Sequence, residues 1–149
     1  MRGKRWLPAL LVLALAVAGC MEPQEEPLSA KGMEGKKALQ AGEVQKAFDL
    51  LADASQENSE NASDQMAYGD AAMAAERYDV AFMAYERALI LKKNNAEAMM
   101  GMARAVEKLG APVLALQYYQ AALLHGRGET YADAEAKVKE LGEVVAKRQ

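Results

Sequence analysis

The strongest constraint on the fold of this chain is the recurrence of residue types at an interval of 34 residues. Such a period indicates one small structural unit per repeat, and the units must stack because a single unit cannot bury its own apolar face. An aromatic content of only 6%, with abundant Ala and Met, favours closely packed helices over a β-sandwich. The expected fold class is therefore all-α. Four positions recur three times: Ala47, Ala81 and Ala115; Leu51, Tyr85 and Tyr119; Ala54, Ala88 and Ala122; Gly35, Gly69 and Ala103.

Aligned at this interval, the repeats span residues 28–61, 62–95 and 96–129. The resemblance to the tetratricopeptide pattern implies a superhelical solenoid of three helix-turn-helix repeats, with small residues where the helices cross and aromatic rings filling the space toward the next repeat. Residues 130–149 are expected to form a capping helix, because apolar residues recur there at three- and four-residue spacing. The resemblance is closest in the middle repeat, which has Tyr68-Gly69 where the family has Leu-Gly, then Tyr78, Ala81, Tyr85 and Ala88 at the family's offsets.

Residues 1–19 have the pattern of a lipoprotein signal peptide. Three cations precede an apolar run from Trp6 to Ala16 that is too short to span a bilayer comfortably. The next residues, Val17-Ala18-Gly19-Cys20, resemble the bacterial lipobox. This resemblance implies cleavage before Cys20, a diacylglycerol on its sulfur and a third acyl chain on the new amino group. An uncleaved transmembrane anchor is the alternative interpretation.

The residues that follow Cys20 bear on where the protein works. In the Gram-negative lipoproteins that the lipobox resembles, Asp directly after the cysteine retains the protein in the inner membrane. Met21 stands there in this chain, so the resemblance implies the outer membrane, on its periplasmic side. Residues 20–29 contain two prolines and three glutamates and are expected to form a flexible tether with a reach of at most about 30 Å.

The charge balance and the polar residue types exclude several function classes. All 21 Asp and Glu residues follow Cys20, whereas three of the 18 Lys and Arg residues precede it, so the mature chain is acidic and is not expected to bind nucleic acid. The only histidine, His125, is expected to end a helix, and the only cysteine is Cys20, so no Cys/His metal set is available. We therefore expect no catalysis, and no cofactor apart from the covalent lipid on Cys20.

A concave groove is the surface expected to bind a partner. Methionine is flexible and polarisable, so a Met-rich groove suits partners of varied shape. Packing between repeats is the alternative role for the methionines, and it is the preferred interpretation for Met99 and Met102. In the tetratricopeptide fold the first helix of each repeat lines the groove, and the resemblance places these residues there: Met33, Lys36, Leu39 and Gln40; Met66, Asp70, Met73 and Ala74; Glu97, Met100, Arg104, Glu107 and Lys108.

The expected function is that of a non-catalytic protein–protein interaction scaffold. A lipobox followed by such repeats resembles the architecture of type IV pilus and secretion pilotins, and of the accessory lipoproteins of tight-adherence pili. This resemblance implies a role in the assembly or stability of a cell-envelope complex. A regulator or cofactor of a cell-wall (peptidoglycan) enzyme is the alternative. The partner is expected to be membrane-bound or near the membrane and to bind as an extended or helical segment; the sequence specifies no oligomeric state.

Overall fold

The computed structural model describes residues 26–126 and 131–147. Within these ranges the chain forms seven α-helices and no β-strand, which confirms the expected all-α class. The predicted signal peptide, Cys20 and the first part of the predicted tether lie outside the described residues. The helices are α1 (Ala30–Gln40), α2 (Val44–Glu57), α3 (Ala62–Ala74), α4 (Tyr78–Leu91), α5 (Ala96–Lys108), α6 (Pro112–His125) and α7 (Ala132–Ala146).

The helices form three stacked pairs followed by α7. Each helix packs chiefly against the helices that precede and follow it in the chain, and α3 also contacts the other two first helices, α1 and α5. The second helices begin at Val44, Tyr78 and Pro112, which are 34 residues apart. Each unit of the sequence period therefore holds one helix pair. Among the described helices none is long and apolar enough to cross a membrane.

The turn between the two helices of each pair is the same in all three repeats. In each, the second residue after the first helix adopts a left-handed conformation, with φ of 79° at Gly42, 58° at Glu76 and 80° at Gly110. The next residue donates its N–H five residues back, as Glu43 does to the Ala38 carbonyl at 3.0 Å. This is a Schellman turn, and it satisfies carbonyls that the helix end would otherwise leave unpaired.

The core is built from small residues packed around large side chains. The Tyr85 ring is 1% exposed and lies between Gly69 of α3 and Gly101 of α5; a Cβ at either glycine would come within 2.5 to 2.6 Å of ring atoms. In the first repeat, Leu51 lies equally close to Gly35. The repeating small and large positions therefore pack as the resemblance implies.

Two methionines of α5, Met99 and Met102, were expected to pack between repeats. Met102 is 2% exposed and belongs to the core cluster around Tyr85. Met99 is partly buried against a second core cluster, which joins α5 and α6 to α7. Both therefore have the packing role that was preferred for them. The second cluster comprises Met100, Ala103, Val106, Ala115, Tyr119, Ala122, Ala134 and Leu141.

Residues 26–29, here called the N-terminal segment, are bound to the start of α3. The Ser29 N–H donates to Asp64 Oδ1 at 3.1 Å, Asn61 Nδ2 donates to the Pro27 carbonyl at 2.9 Å, and the Leu28 side chain packs against the core. The Ser63 hydroxyl also donates to the carbonyl of Glu26. The last four residues of the predicted tether therefore lie against the folded domain, because polar groups at the start of α3 pair with their backbone.

Candidate protein-interaction groove

The first helices line two adjoining clefts. The first cleft, of about 700 Å³, lies between α1, α3 and the start of α5, and the N-terminal segment forms one of its edges. It holds most of the groove residues predicted for the first two repeats, and one from the third. Those that line it are Lys36, Leu39, Gln40, Met66, Asp70 and Glu97.

The second cleft, of about 430 Å³, lies between α3, α5 and α7. Its far wall is formed by α7, whose contribution to the groove the sequence did not predict. Of the predicted groove residues it contains Met73, Met100, Arg104, Glu107 and Lys108, to which the structure adds Tyr119, Asp133, Ala136, Lys137 and Glu140.

Two of the predicted groove residues line neither cleft, and a third lines the second cleft but is almost fully buried. Met33 is 58% exposed but lines neither cleft, because the neighbouring Gly32 is the residue turned toward α3 and successive helical residues point about 100° apart. Ala74 is exposed and also lines neither cleft. Met100 is only 8% exposed, because it belongs to the core cluster that α7 completes. The partly buried apolar residues that line the clefts therefore include Met66, Met73 and Leu39.

Two buried tyrosines donate hydrogen bonds to carboxylates of the groove. The Tyr85 hydroxyl donates to Asp70 Oδ1 at 2.7 Å, and the Tyr119 hydroxyl donates to Glu107 Oε2 at 2.8 Å. Burial and the adjacent carboxylates raise the pKa of both tyrosines, so both remain protonated donors. Sequence reasoning missed these pairs. The only signal was the 34-residue spacing of the tyrosines, which does not show where their hydroxyl groups point.

One side of the Asp70 carboxyl faces the groove, and protein surrounds its other sides. This partial desolvation raises the pKa of its carboxyl, whereas the hydrogen bond from Tyr85 and the charges of Arg104 and Lys36 act to lower it. The net shift is upward. The Tyr85 hydroxyl therefore both orients the Asp70 carboxylate and gives the largest contribution that favours its charged form.

Glu107 holds the terminal helix instead of standing free for a partner. Lys137 of α7 donates to Glu107 Oε1 at 2.7 Å and also pairs with Glu140 at 3.2 Å. Burial alone would raise the pKa of Glu107, but the hydrogen bonds from Lys137 and Tyr119 hold it below its usual value. Glu107 therefore lines the second cleft, and each of its two oxygens already accepts a hydrogen bond within the protein.

The described residues contain no group of three or more His, Cys, Asp or Glu side chains that could hold a metal ion. His125 is the last residue of α6 and is exposed. Arg104 and Lys108, which face the second cleft, form no ion pair with any residue of the part described. The groove is thus an open surface with an apolar floor and charged walls.

Comparison with known proteins gives matches at the level of structure. No protein-family model and no curated protein sequence matches the chain. The first tetratricopeptide domain of Spaghetti (RPAP3), bound to the HSP90 peptide SRMEEVD, is similar with a TM-score of 0.72 and 16% identity, over 78% of this chain and 90% of that one. The Arabidopsis OM64 tetratricopeptide domain has a TM-score of 0.68 and 21% identity, over 74% and 90%.

A bacterial structure is similar to the same extent. The type III secretion chaperone SycD of Yersinia enterocolitica, in complex with a peptide of the translocator YopD, has a TM-score of 0.68 and 13% identity, over 79% of this chain and 91% of that one. Likeness at such low identity is evidence for the fold. The chain therefore has the tetratricopeptide fold, with three helix pairs and a terminal helix.

Proposed function

We propose that this protein is a non-catalytic scaffold that holds a segment of a partner protein in its groove. The observation that carries the proposal is the pair of adjoining open clefts, with Met66 and Met73 on the floor and charged side chains on the walls. An apolar floor supplies binding energy for a segment of varied sequence, and charged walls supply selectivity. The peptide-bound structures of RPAP3 and SycD support this use of the fold.

We further propose that the protein is lipid-anchored through Cys20 at the periplasmic side of the outer membrane. The support comes from the signal-peptide pattern and the lipobox resemblance. Because the N-terminal segment is bound to α3, only residues 20–25 separate the lipid from the folded domain, and they span at most about 20 Å. The partner is therefore a membrane-bound or membrane-near protein, and the scaffold assists the assembly or stability of an envelope complex.

Site-specific photo-cross-linking in living cells tests the groove. A photoreactive residue replaces Met66 or Met73 in the groove, and as a matched control it replaces Glu86, an exposed residue of α4 outside both clefts. The expected result is one partner cross-linked from both groove positions and not from position 86. Recovery of the same partner from position 86 alone would place binding on the convex side and refute the groove.

Labelling with a palmitate analogue tests the anchor. The wild-type protein is expected to carry the label and to fractionate with the outer membrane. Cys20→Ser should lose both the label and the membrane association. A Cys20→Ser protein that still fractionates with the membrane would contradict lipidation as the anchor.

Deletion of the gene distinguishes the two envelope roles. A scaffold that assists a pilus or secretion complex should leave that complex unassembled while peptidoglycan composition stays normal. Altered peptidoglycan composition with intact envelope complexes would instead support the regulator of a cell-wall enzyme.

A further inference from the structure

Three charged residues occupy the same position of the three first helices. Lys36, Asp70 and Arg104 are 34 residues apart, on α1, α3 and α5, and all three side chains are exposed. Lys36 and Asp70 line the first cleft, and Arg104 lines the second. The groove therefore presents a positive, a negative and a positive charge in succession along the stack.

These charges do not neutralise one another by direct contact. No ion pair joins Asp70 to Lys36 or Arg104 within 4 Å, although both cations lie near enough to influence the carboxyl. Asp70 accepts a hydrogen bond from the Tyr85 hydroxyl instead, and the Tyr85 ring is packed between Gly69 and Gly101. The Asp70 carboxylate thus has a fixed orientation, and the charged groups of Lys36 and Arg104 remain available to a ligand.

The spacing of the row matches an extended chain. Packed helices lie about 8–10 Å apart, and an extended segment in the polyproline II conformation advances about 3.1 Å per residue with three residues per turn. Side chains three residues apart in the ligand therefore share one face and span about one repeat. We propose that the groove selects an extended protein segment with a basic side chain opposite Asp70 and acidic side chains about three residues to either side, opposite Lys36 and Arg104. This inference rests on the proposed scaffold function and names the chemistry of its partner.

The same row disfavours a uniformly acidic segment. An acidic side chain opposite Asp70 would meet a like charge that Tyr85 prevents from turning away. Repulsion of this kind supplies selectivity at little cost to the preferred ligand.

Two synthetic peptides test the inference on the full-length chain in detergent micelles. Both carry acidic residues at the outer positions on an otherwise neutral sequence; one has Lys at the centre and the other has Glu. We expect the wild-type protein to bind the Lys peptide about tenfold more tightly, since replacing an attractive by a repulsive charge pair is an effect of about that size. Asp70→Lys should invert the preference. Asp70→Asn, which keeps an acceptor for the Tyr85 hydroxyl, should abolish it even if Asp70→Lys folds poorly.

Two matched variants separate this effect from general charge. Glu86→Lys makes the same charge change outside both clefts and should leave the preference as in wild type. Tyr85→Phe removes only the hydroxyl that positions Asp70 and should reduce the preference without inverting it. Equal binding of the two peptides by the wild type would overturn the inference, and so would inversion by Glu86→Lys. If groove cross-linking still captures a partner in that case, the scaffold function stands and only the charge pattern fails.

Discussion

At the residue scale, the turn inside each repeat requires a left-handed residue, and the middle repeat has an unfavourable one. Gly42 and Gly110 hold this position in the outer repeats, whereas Glu76 holds it in the middle repeat with φ of 58°. A side chain in this conformation costs about 1 kcal/mol or more relative to glycine. The strain at Glu76 is therefore a local weakness of the second repeat.

Replacing Glu76 by glycine should stabilise the protein. We expect Glu76→Gly to raise the free energy of unfolding by about 1 kcal/mol, measured by urea denaturation. The control is Gly110→Ala, where no atom lies within 4 Å of the added Cβ, so that only the backbone conformation is penalised. It should lower stability by a similar amount. A lower unfolding midpoint for Glu76→Gly would mean that Glu76 makes compensating interactions in the folded state.

The packing of Tyr85 between two glycines gives a second prediction. Gly101→Ala should destabilise the protein by about 1–3 kcal/mol, because the new Cβ would collide with the ring, despite the better helix propensity of alanine. Gly142→Ala in α7 is the control, since its Cβ would meet nothing within 4 Å, and it should stabilise by about 1 kcal/mol. Thermal unfolding followed by circular dichroism measures both. Equal effects of the two substitutions would show that the ring moves freely.

Asp70 gives a prediction about pH. Its pKa is raised by desolvation, so the folded state holds this proton more strongly than the unfolded state does. Its contribution to stability is therefore present below the unfolded pKa, near 3.9, and is lost as pH rises through the folded pKa. Asp70→Asn should remove this loss, so between pH 4 and neutral pH its free energy of unfolding should decline less than that of wild type. Urea denaturation across this range measures the difference, and identical slopes would contradict a raised pKa.

The sequence predicted which residues are buried better than it predicted their hydrogen-bond partners. The period predicted which residues are small and which are aromatic, and thereby placed Tyr85 in the core. It did not predict the Tyr85–Asp70 or Tyr119–Glu107 hydrogen bonds. Each pair spans two helices, and its geometry depends on how those helices cross.

At the element scale, α3 and α5 begin with the same cap but differ in what else the cap binds. Asn61 and Asn95 each accept hydrogen bonds from the N–H groups of the second and third residues of the helix. Asn61 also donates to the Pro27 carbonyl of the N-terminal segment. The second repeat therefore uses one side chain both to start a helix and to hold the incoming chain.

The two caps form a matched pair for measurement. Asn95→Ala should cost about 1 kcal/mol, the usual value of an N-cap. Asn61→Ala should cost about 1 kcal/mol more, because it also removes the hydrogen bond to the N-terminal segment. Chemical denaturation gives both values, and amide exchange at Leu28 and Ser29 should increase in Asn61→Ala alone. Equal costs, with no change in exchange at the segment, would show that the Pro27 contact contributes nothing to stability.

The apolar spacing of the terminal helix α7 predicted some of its contacts but not others. Its apolar spacing predicted a helix that covers the end of the stack, and Ala134 and Leu141 are buried there. The same pattern did not predict that Lys137 would pair with Glu107 or that α7 would form a wall of the groove. Those features depend on the polar side of α7 facing α5, which the apolar spacing alone does not specify.

At the scale of the whole molecule, the protein is a stack in which each helix depends mainly on its neighbours. A destabilising substitution at the end of such a stack should affect only the neighbouring helices, whereas one at its centre should affect helices on both sides. Tyr85 touches both α3 and α5, whereas Leu141 of α7 lies at the C-terminal end.

Hydrogen exchange of two core substitutions tests this. Leu141→Ala should cost about 2–5 kcal/mol locally and raise exchange in α6 and α7 while sparing α1 to α4. Tyr85→Ala should raise exchange throughout α3 to α6, because the second and third repeats both lose their shared contact. If Leu141→Ala raises exchange equally in all seven helices, the stack unfolds as one cooperative unit and the nearest-neighbour description fails.

The sequence by itself determined the repeat, the all-α class, the helix pairs and the pattern of small and large core residues, because each depends on spacing along a single helix. Only the tertiary structure decided that residues 26–29 bind to α3, that Met33 lies outside the groove, and that Glu107 is occupied by Tyr119 and Lys137. These depend on how helices distant in sequence cross and on which way each side chain points. The row formed by Lys36, Asp70 and Arg104 depends on both the sequence and the tertiary structure. The period gives the spacing of the three residues, and the packing of Tyr85 fixes the orientation of the Asp70 carboxylate.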